Sequence, residues 1–253
     1  MSKSIKIAVS IIASLSLLYA MLSGFGISGV ESGTGGFIFR LIIIVVLLFS
    51  CSRVFSVEIF KQGSALLAGA LGLGVLVIFE LFSFAYIYLY SGEHTDITIS
   101  IYTRNCAYLF FLTAVIILIP PVFKSYKTIR FATCIFASFS IAIIIYAIII
   151  NSSILLVYST ISIKILCFIA ATVLYFKEKK NNPVRLFTIS VRVICFLEMA
   201  EQLLILYGNI WNLRDIIISF YPVVYFLIGY ALVCIRSDAV TNYDNLPEGE
   251  INE

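Results

Sequence analysis

Charge is scarce in this chain. Only 12% of its 253 residues are Asp, Glu, Lys or Arg, while 61% are apolar, and the mean hydropathy is +1.07. A soluble domain carries about 25% charged residues, so the shortage excludes a water-exposed globular surface and makes lipid the main solvent. Histidine is nearly missing as well, with His94 the single example, and the six cysteines include no CxxC pair. A zinc, haem or iron–sulfur site would have too few ligands, so neither metal nor cofactor is expected. Cys51, Cys106, Cys134, Cys167, Cys195 and Cys234 read as small apolar packing residues without close pairs. Period-two alternation is also lacking: "LIIIVVLLF" and "IAIIIYAIII" are continuously apolar, which excludes barrel strands.

What is present is a series of long apolar runs. Crossing the hydrocarbon core takes about 20 residues at about 1.5 Å each. Runs of that length cover Ile5–Ile27, Phe37–Phe55, Ser64–Tyr90, Thr103–Phe123, Phe131–Ile150, Ile154–Phe176, Leu186–Tyr207 and Ile216–Ile235. The expectation is an all-α integral membrane protein, a bundle of about eight transmembrane helices. "ESGTGG", "SGEHTD", "NSS" and "KEKKNNP" punctuate the runs, and the short connections predict antiparallel neighbours. The membrane domain takes residues 1–236, and "SDAVTNYDNLPEGEINE" at 237–253 reads as a short, acidic, disordered cytoplasmic tail.

Orientation follows from the basic residues, which favour the cytoplasmic side. With the N-terminus inside, Lys3, Lys6, Arg53, Lys61, Lys124, Lys127, Arg130, Lys177, Lys179, Lys180, Arg185 and Arg236 all fall inside. Arg40, Arg104 and Arg214 fall outside, and Lys164 and Arg192 are embedded. Both termini are therefore expected in the cytoplasm, and the net charge of +3 marks topology rather than nucleic-acid binding. An alternative for the first run is a secretory signal peptide. Its length and the lack of a small-x-small cleavage site favour a retained helix.

Against this background the acids in "FLEMAEQLL" stand out. Glu80 lies ten residues before Tyr90, Lys164 ten after Ile154 and Glu198 nine before Tyr207, which places all three about 15 Å below the outer boundary. Glu201 and Gln202 sit about 60° and 40° round the helix from Glu198 and complete one polar face. Each mid-bilayer charge costs at least about 2.5–3.5 kcal/mol, so these groups should face one another. Lys164–Glu198 is the expected ion pair, with Glu80 joining it or standing protonated. One reading is that the pair only fixes which helices pack together. The other is a polar cavity for a ligand or ion pathway built from Glu80, Lys164, Glu198, Glu201 and Gln202, which the excess of acid over lysine favours. Arg192, near the cytoplasmic helix end, can snorkel to the headgroups and is a secondary candidate.

Other signals are weaker. "GISG" at 26–29 is similar to the serine motif of rhomboid proteases, but no intramembrane histidine could activate Ser28, and no enzyme activity is expected. His94 reads as a solvated loop residue, with a pH-sensing role as the alternative. Small residues four apart in "ALLAGALGLG" predict tight helix packing. Pro120–Pro121 and Pro222 predict helix-terminal features. Tyr86, Tyr88, Tyr90, Tyr102, Tyr207, Trp211 and Tyr221 form an expected outer interfacial belt.

The last three helices, from "KILCFIAATVLYF" through "FLEMAEQLLILYGNIWN" to "FYPVVYFLIGYALV", together with "ISIYTRNCAYLFFL", resemble the membrane-associated sensor domains that precede histidine kinases and diguanylate cyclases in bacteria. The resemblance implies a location in the bacterial inner membrane and adds Arg104 and Asn212 as secondary candidates. The entry to the last helix reads Leu213-Arg214-Asp215 where that family has a Gly-His element, and no output module follows Arg236. The expectation is therefore a stand-alone sensor or regulatory protein that binds a ligand or membrane signal and passes it to a cytoplasmic partner protein. The alternative is a transporter or channel for a small solute or cation. An intramembrane enzyme or structural subunit is a third class. Expected partners are the lipid bilayer, a ligand of open identity and, as an open option, a second copy of the chain.

Overall fold

The computed structural model describes residues 3–24, 34–55, 64–89, 97–118, 153–177, 183–207 and 211–244, with isolated helical positions between 135 and 146. Among these residues every regular element is a helix. We number them α1 (Lys3–Gly24), α2 (Thr34–Phe55), α3 (Ser64–Leu89), α4 (Ile97–Leu118), α5 (Ser153–Lys177), α6 (Pro183–Tyr207), α7 (Trp211–Ser219) and α8 (Tyr221–Asp244). Five stretches are long and apolar enough to cross a membrane: Ile5–Leu22, Phe37–Phe55, Ala65–Phe82, Val157–Phe176 and Ile216–Ile235. A shorter apolar segment covers Arg104–Leu118. The expected span at 131–150 lies outside the described residues apart from the isolated positions, as do Ser28, His94, Pro120–Pro121 and Cys134.

The helices close into a ring: α2 packs on α3, α3 on α4, α4 on α5, α5 on α6, α6 on α8, and α8 back on α2. Helix α1 lies outside it, against α7 and α8, with Tyr19 stacked on Phe39 of α2 at 3.9 Å. Polarity is distributed inside out. Val45, Ile78 and Phe196 are 62%, 64% and 61% exposed, whereas Lys164 and Glu198 are 0% exposed. A water-facing surface would reverse that pattern; apolar outer faces around a polar interior belong to a protein embedded in lipid, where helices satisfy their own backbone.

Small residues set the closest approaches, since lipid provides no hydrophobic force between helices and packing must supply the attraction. At Gly72 of α3, a Cβ would stand 2.7 Å from Phe111 Cε1 and 3.2 Å from the Ala107 carbonyl of α4. At Gly229 of α8 it would meet Ser50 Cβ of α2 at 2.5 Å.

The final run keeps the expected bounds Ile216–Ile235 as a candidate span, but it is interrupted within them. It divides into α7 and α8 at Phe220, whose N–H donates to the Ile217 carbonyl at 3.2 Å. Pro222 explains the break, because it lacks an N–H and its ring would collide with the carbonyl four residues back in a continuous helix; in the first turn of α8 it is tolerated. Helix α8 also continues through Asp244, so residues 237–244 are helical rather than the disordered start of a tail. The reason is local: "SDAVTNYD" contains neither Gly nor Pro to stop propagation. Residues 245–253 lie outside the described residues.

Candidate functional site

The polar groups inside the ring form one network to which α2 through α6 and α8 contribute. Helix α6 supplies its centre, because three- and four-residue spacing puts Glu198, Glu201 and Gln202 on one face. Lys164 Nζ of α5 lies 2.9 Å from Glu198 Oε2, with both side chains fully buried. The approach is short but misaligned for a hydrogen bond, and neither atom has another partner of good geometry. Lys164 also stands 5.2 Å from the Tyr108 ring centre on α4, a cation–π distance.

Arg104 of α4 forms the second bridge. Its Nη1 donates to Glu201 Oε2 at 2.9 Å and lies 3.8 Å from Glu198 Oε1. Its guanidinium sits 4.7 Å over the Phe79 ring of α3 and 5.7 Å over the Tyr221 ring of α8. Tyr221, the first residue of α8, donates its hydroxyl to the same Glu201 Oε2 at 2.5 Å. Gln202 Oε1 accepts from Thr160 Oγ1 of α5 at 3.1 Å.

Glu80 of α3 is buried, and its charged neighbours are Arg104, Arg40, Glu198 and Glu201. Arg40 Nη1 of α2 approaches its Oε2 at 4.0 Å and is 29% exposed. This is a looser contact than the 2.9 Å bridges, and its exposed partner is better screened. Several buried groups retain unused bonding capacity: both polar atoms of the Asn105 amide and the hydroxyls of Tyr108 and Tyr225 have no hydrogen-bond partner.

Three expectations change. Arg40 and Arg104, assigned above to the outer side as topology markers, turn toward the buried acids, because the azimuth of α2 and α4 within the ring aims these positions inward. The acid excess thereby disappears: Glu80, Glu198 and Glu201 face Arg40, Arg104 and Lys164. Tyr221, expected in the interfacial belt, is fully buried and bonded to Glu201. Cys167 and Cys195 are free and buried on α5 and α6, which pack side by side.

The remaining candidates lie elsewhere. Arg192 is not in the network; its guanidinium stacks 5.4 Å from the Phe168 ring and 4.9 Å from the Tyr175 ring. Tyr175 also receives Arg185 at 2.8 Å. Asn212 lies at the start of α7. Thr160, Tyr108 and Tyr225 were missed, because hydroxyls inside an apolar run carry no signal of their own until a facing helix is known. Among the described residues, no three His, Cys, Asp or Glu side chains converge as metal ligands. Compared with protein-family models, curated proteins and solved structures, the chain matches none.

Proposed function

We propose that this chain is a sensor or regulatory protein of the bacterial inner membrane, with about eight spans and both termini cytoplasmic. It resembles the membrane-associated sensor domains named above. The buried network receives the signal, and α8 passes it to a cytoplasmic partner. The observation that carries this reading is Glu201 Oε2, which accepts from Arg104 of α4 and from Tyr221 of α8. A polar ligand competing for that oxygen releases α8 from α4, and the groups on Asn105, Tyr108 and Tyr225 without partners supply the donors and acceptors to hold such a ligand. A ligand shifts a conformational equilibrium only through unequal affinity for two states, and an oxygen shared between helices provides that inequality.

The test places a single reactive cysteine at Ser237 in an otherwise cysteine-free background and measures its modification rate in membranes. Tyr221→Phe and Glu201→Gln should each change the rate severalfold in protein that remains folded. Unchanged rates in both variants would remove the coupling between network and helix.

The second reading is a transporter or channel for a small solute or cation. It is favoured by the Glu198 carboxylate, which lies beside Lys164 without a well-directed hydrogen bond. The matched number of acids and bases weakens it, because a cation pathway benefits from uncompensated acid.

A further inference from the structure

Two arginines of α6 meet one tyrosine of α5 near the Pro183 end of α6. Arg185 Nη2 donates to the Tyr175 hydroxyl at 2.8 Å, and its guanidinium lies 4.3 Å from the centre of the Tyr175 ring. The Arg192 guanidinium reaches the same ring at 4.9 Å. Arg192 follows Arg185 by seven residues, about 20° short of two full turns, so the pair shares one face of α6. Among the described residues neither arginine has a carboxylate within ion-pair distance. Arg192 Nε is buried without a hydrogen-bond partner. The connecting sequence "KEKKNN" at 177–182 adds three lysines against one glutamate. Two like charges held against one ring repel each other, and an anion that accepts from both guanidiniums, as a phosphate can, relieves that repulsion.

The surroundings select the form of the anion. Both arginines are half-buried, and on their face of α6 they alternate with exposed apolar side chains. Ile189 stands one turn from each arginine and Phe196 one turn beyond Arg192, both exposed. Phe176 of α5, 74% exposed, packs edge-on against the Tyr175 ring at 5.3 Å. The cluster therefore opens sideways toward acyl chains. Arg192 lies nine residues into α6, about 13 Å along its axis, and its guanidinium stands 5.4 Å from the Phe168 ring. A free anion must leave water to reach that level; a lipid phosphate is carried there by its own acyl chains.

We propose that α5 and α6 bind one anionic glycerophospholipid, whose phosphate bridges Arg185 and Arg192 beside Tyr175 and whose acyl chain runs along Ile189 and Phe196. Basic clefts between transmembrane helices are suited to such headgroups. Helices α5 and α6 also carry Lys164 and Glu198, so the bound lipid pins together the two helices that make this ion pair. The site lies outside the charge network and is independent of whether the chain senses or transports.

The test uses the purified, delipidated full chain in neutral detergent, titrated with phosphatidylglycerol or phosphatidylcholine of identical acyl chains, with bound lipid counted by native mass spectrometry. The first lipid retained should be phosphatidylglycerol, with a preference of about thirtyfold, the scale of two interfacial cations. Arg185→Gln and Arg192→Gln should each lower the preference to about fivefold, and the double variant should bring the two lipids to parity. Lys6→Gln, which removes an exposed cation from α1, should leave the preference unchanged. A large excess of inorganic phosphate should not displace the lipid. Circular dichroism verifies folding of each variant. Equal retention of both lipids by the unmodified chain, a preference that survives the double variant, or an equal loss in Lys6→Gln would each overturn the proposal. So would displacement by inorganic phosphate, which would assign the cluster to a soluble anion.

Discussion

Arg104 and Tyr221, separated by more than a hundred residues and carried on α4 and α8, donate to the same oxygen of Glu201 at 2.9 and 2.5 Å. The two donors differ in what their loss would leave behind. Without Tyr221 the carboxylate keeps its guanidinium partner; without Glu201 the guanidinium loses its hydrogen-bonded carboxylate, and its nearest described acid is Glu198, at 3.8 Å.

That asymmetry sets the first prediction. Tyr221→Phe should cost about 1–2 kcal/mol, between the roughly 0.6 kcal/mol average for interhelical bonds in membranes and the roughly 1.5–3 kcal/mol for bonds to charged groups. Glu201→Leu should cost more, about 3–5 kcal/mol, because it strands a buried cation. Reversible unfolding in mixed micelles measures both. Equal losses for the two variants would mean that Arg104 does not depend on Glu201.

The second prediction concerns Lys164 and Glu198, which are fully buried and 2.9 Å apart. Lys164→Leu should lose about 3–5 kcal/mol by leaving a carboxylate in low dielectric. Adding Glu198→Leu should recover most of that loss, since apolar replacement of a whole buried pair is often neutral. Arg104 retains Glu201 in the double variant. Losses that simply add would show that the residues do not interact.

Helix packing supplies the third. Gly72→Val places a side chain against the Phe111 ring and the fixed Ala107 carbonyl and should cost about 1–3 kcal/mol by overpacking. At Gly74 the nearest atom to a new Cβ is Phe55 Cε2 at 3.9 Å, an ordinary contact. Gly74→Ala should therefore be neutral or stabilising by about 0.5–1 kcal/mol, from the entropy glycine loses in a helix. Equal effects at the two glycines would contradict the close α3–α4 contact.

The all-helical architecture and the meeting of Lys164 with Glu198 were legible in the sequence, because run length and depth are both counted along one axis. The positions of Arg40 and Arg104 were not. Counting basic residues treats each arginine as a loop marker, and whether an arginine near a helix end turns inward depends on the azimuth of that helix within the ring. Tyr221 was legible as a boundary residue but not as a donor to Glu201, because that contact needs the break at Phe220, which points α8 back toward α6. Pro222 marked where the break would fall without revealing which side chain it would deliver.

Topology gives the fourth prediction. Single cysteines introduced at 91–102 should react with an impermeant reagent added outside intact cells, and those at 177–185 only after the cytoplasmic side is opened. The inward turn of Arg40 and Arg104 removes two outer charges from the count, so the remaining bias toward the inside is stronger. Outside labelling of the 177–185 loop would reverse the orientation.

The last prediction separates the sensor from the transporter. A carrier or channel should move solute or current in pure lipid vesicles without any partner, and Glu198→Gln or Glu201→Gln should alter that flux. A sensor has no such requirement. It needs its network to bias α8 and a cytoplasmic partner to read the result. Acids and bases are matched at the centre, and Glu201 is already engaged by two donors, so we expect proton and monovalent-cation flux at the level of empty vesicles in the unmodified chain and in both variants. In cells, deletion of residues 237–253 should abolish the response attributed to the protein while leaving its folded abundance unchanged. Robust flux that Glu198→Gln or Glu201→Gln changes would sink the sensor reading. Silent vesicles together with a tail-dependent response would set the transporter aside, because a transport cycle confined to the membrane domain has no need of that segment.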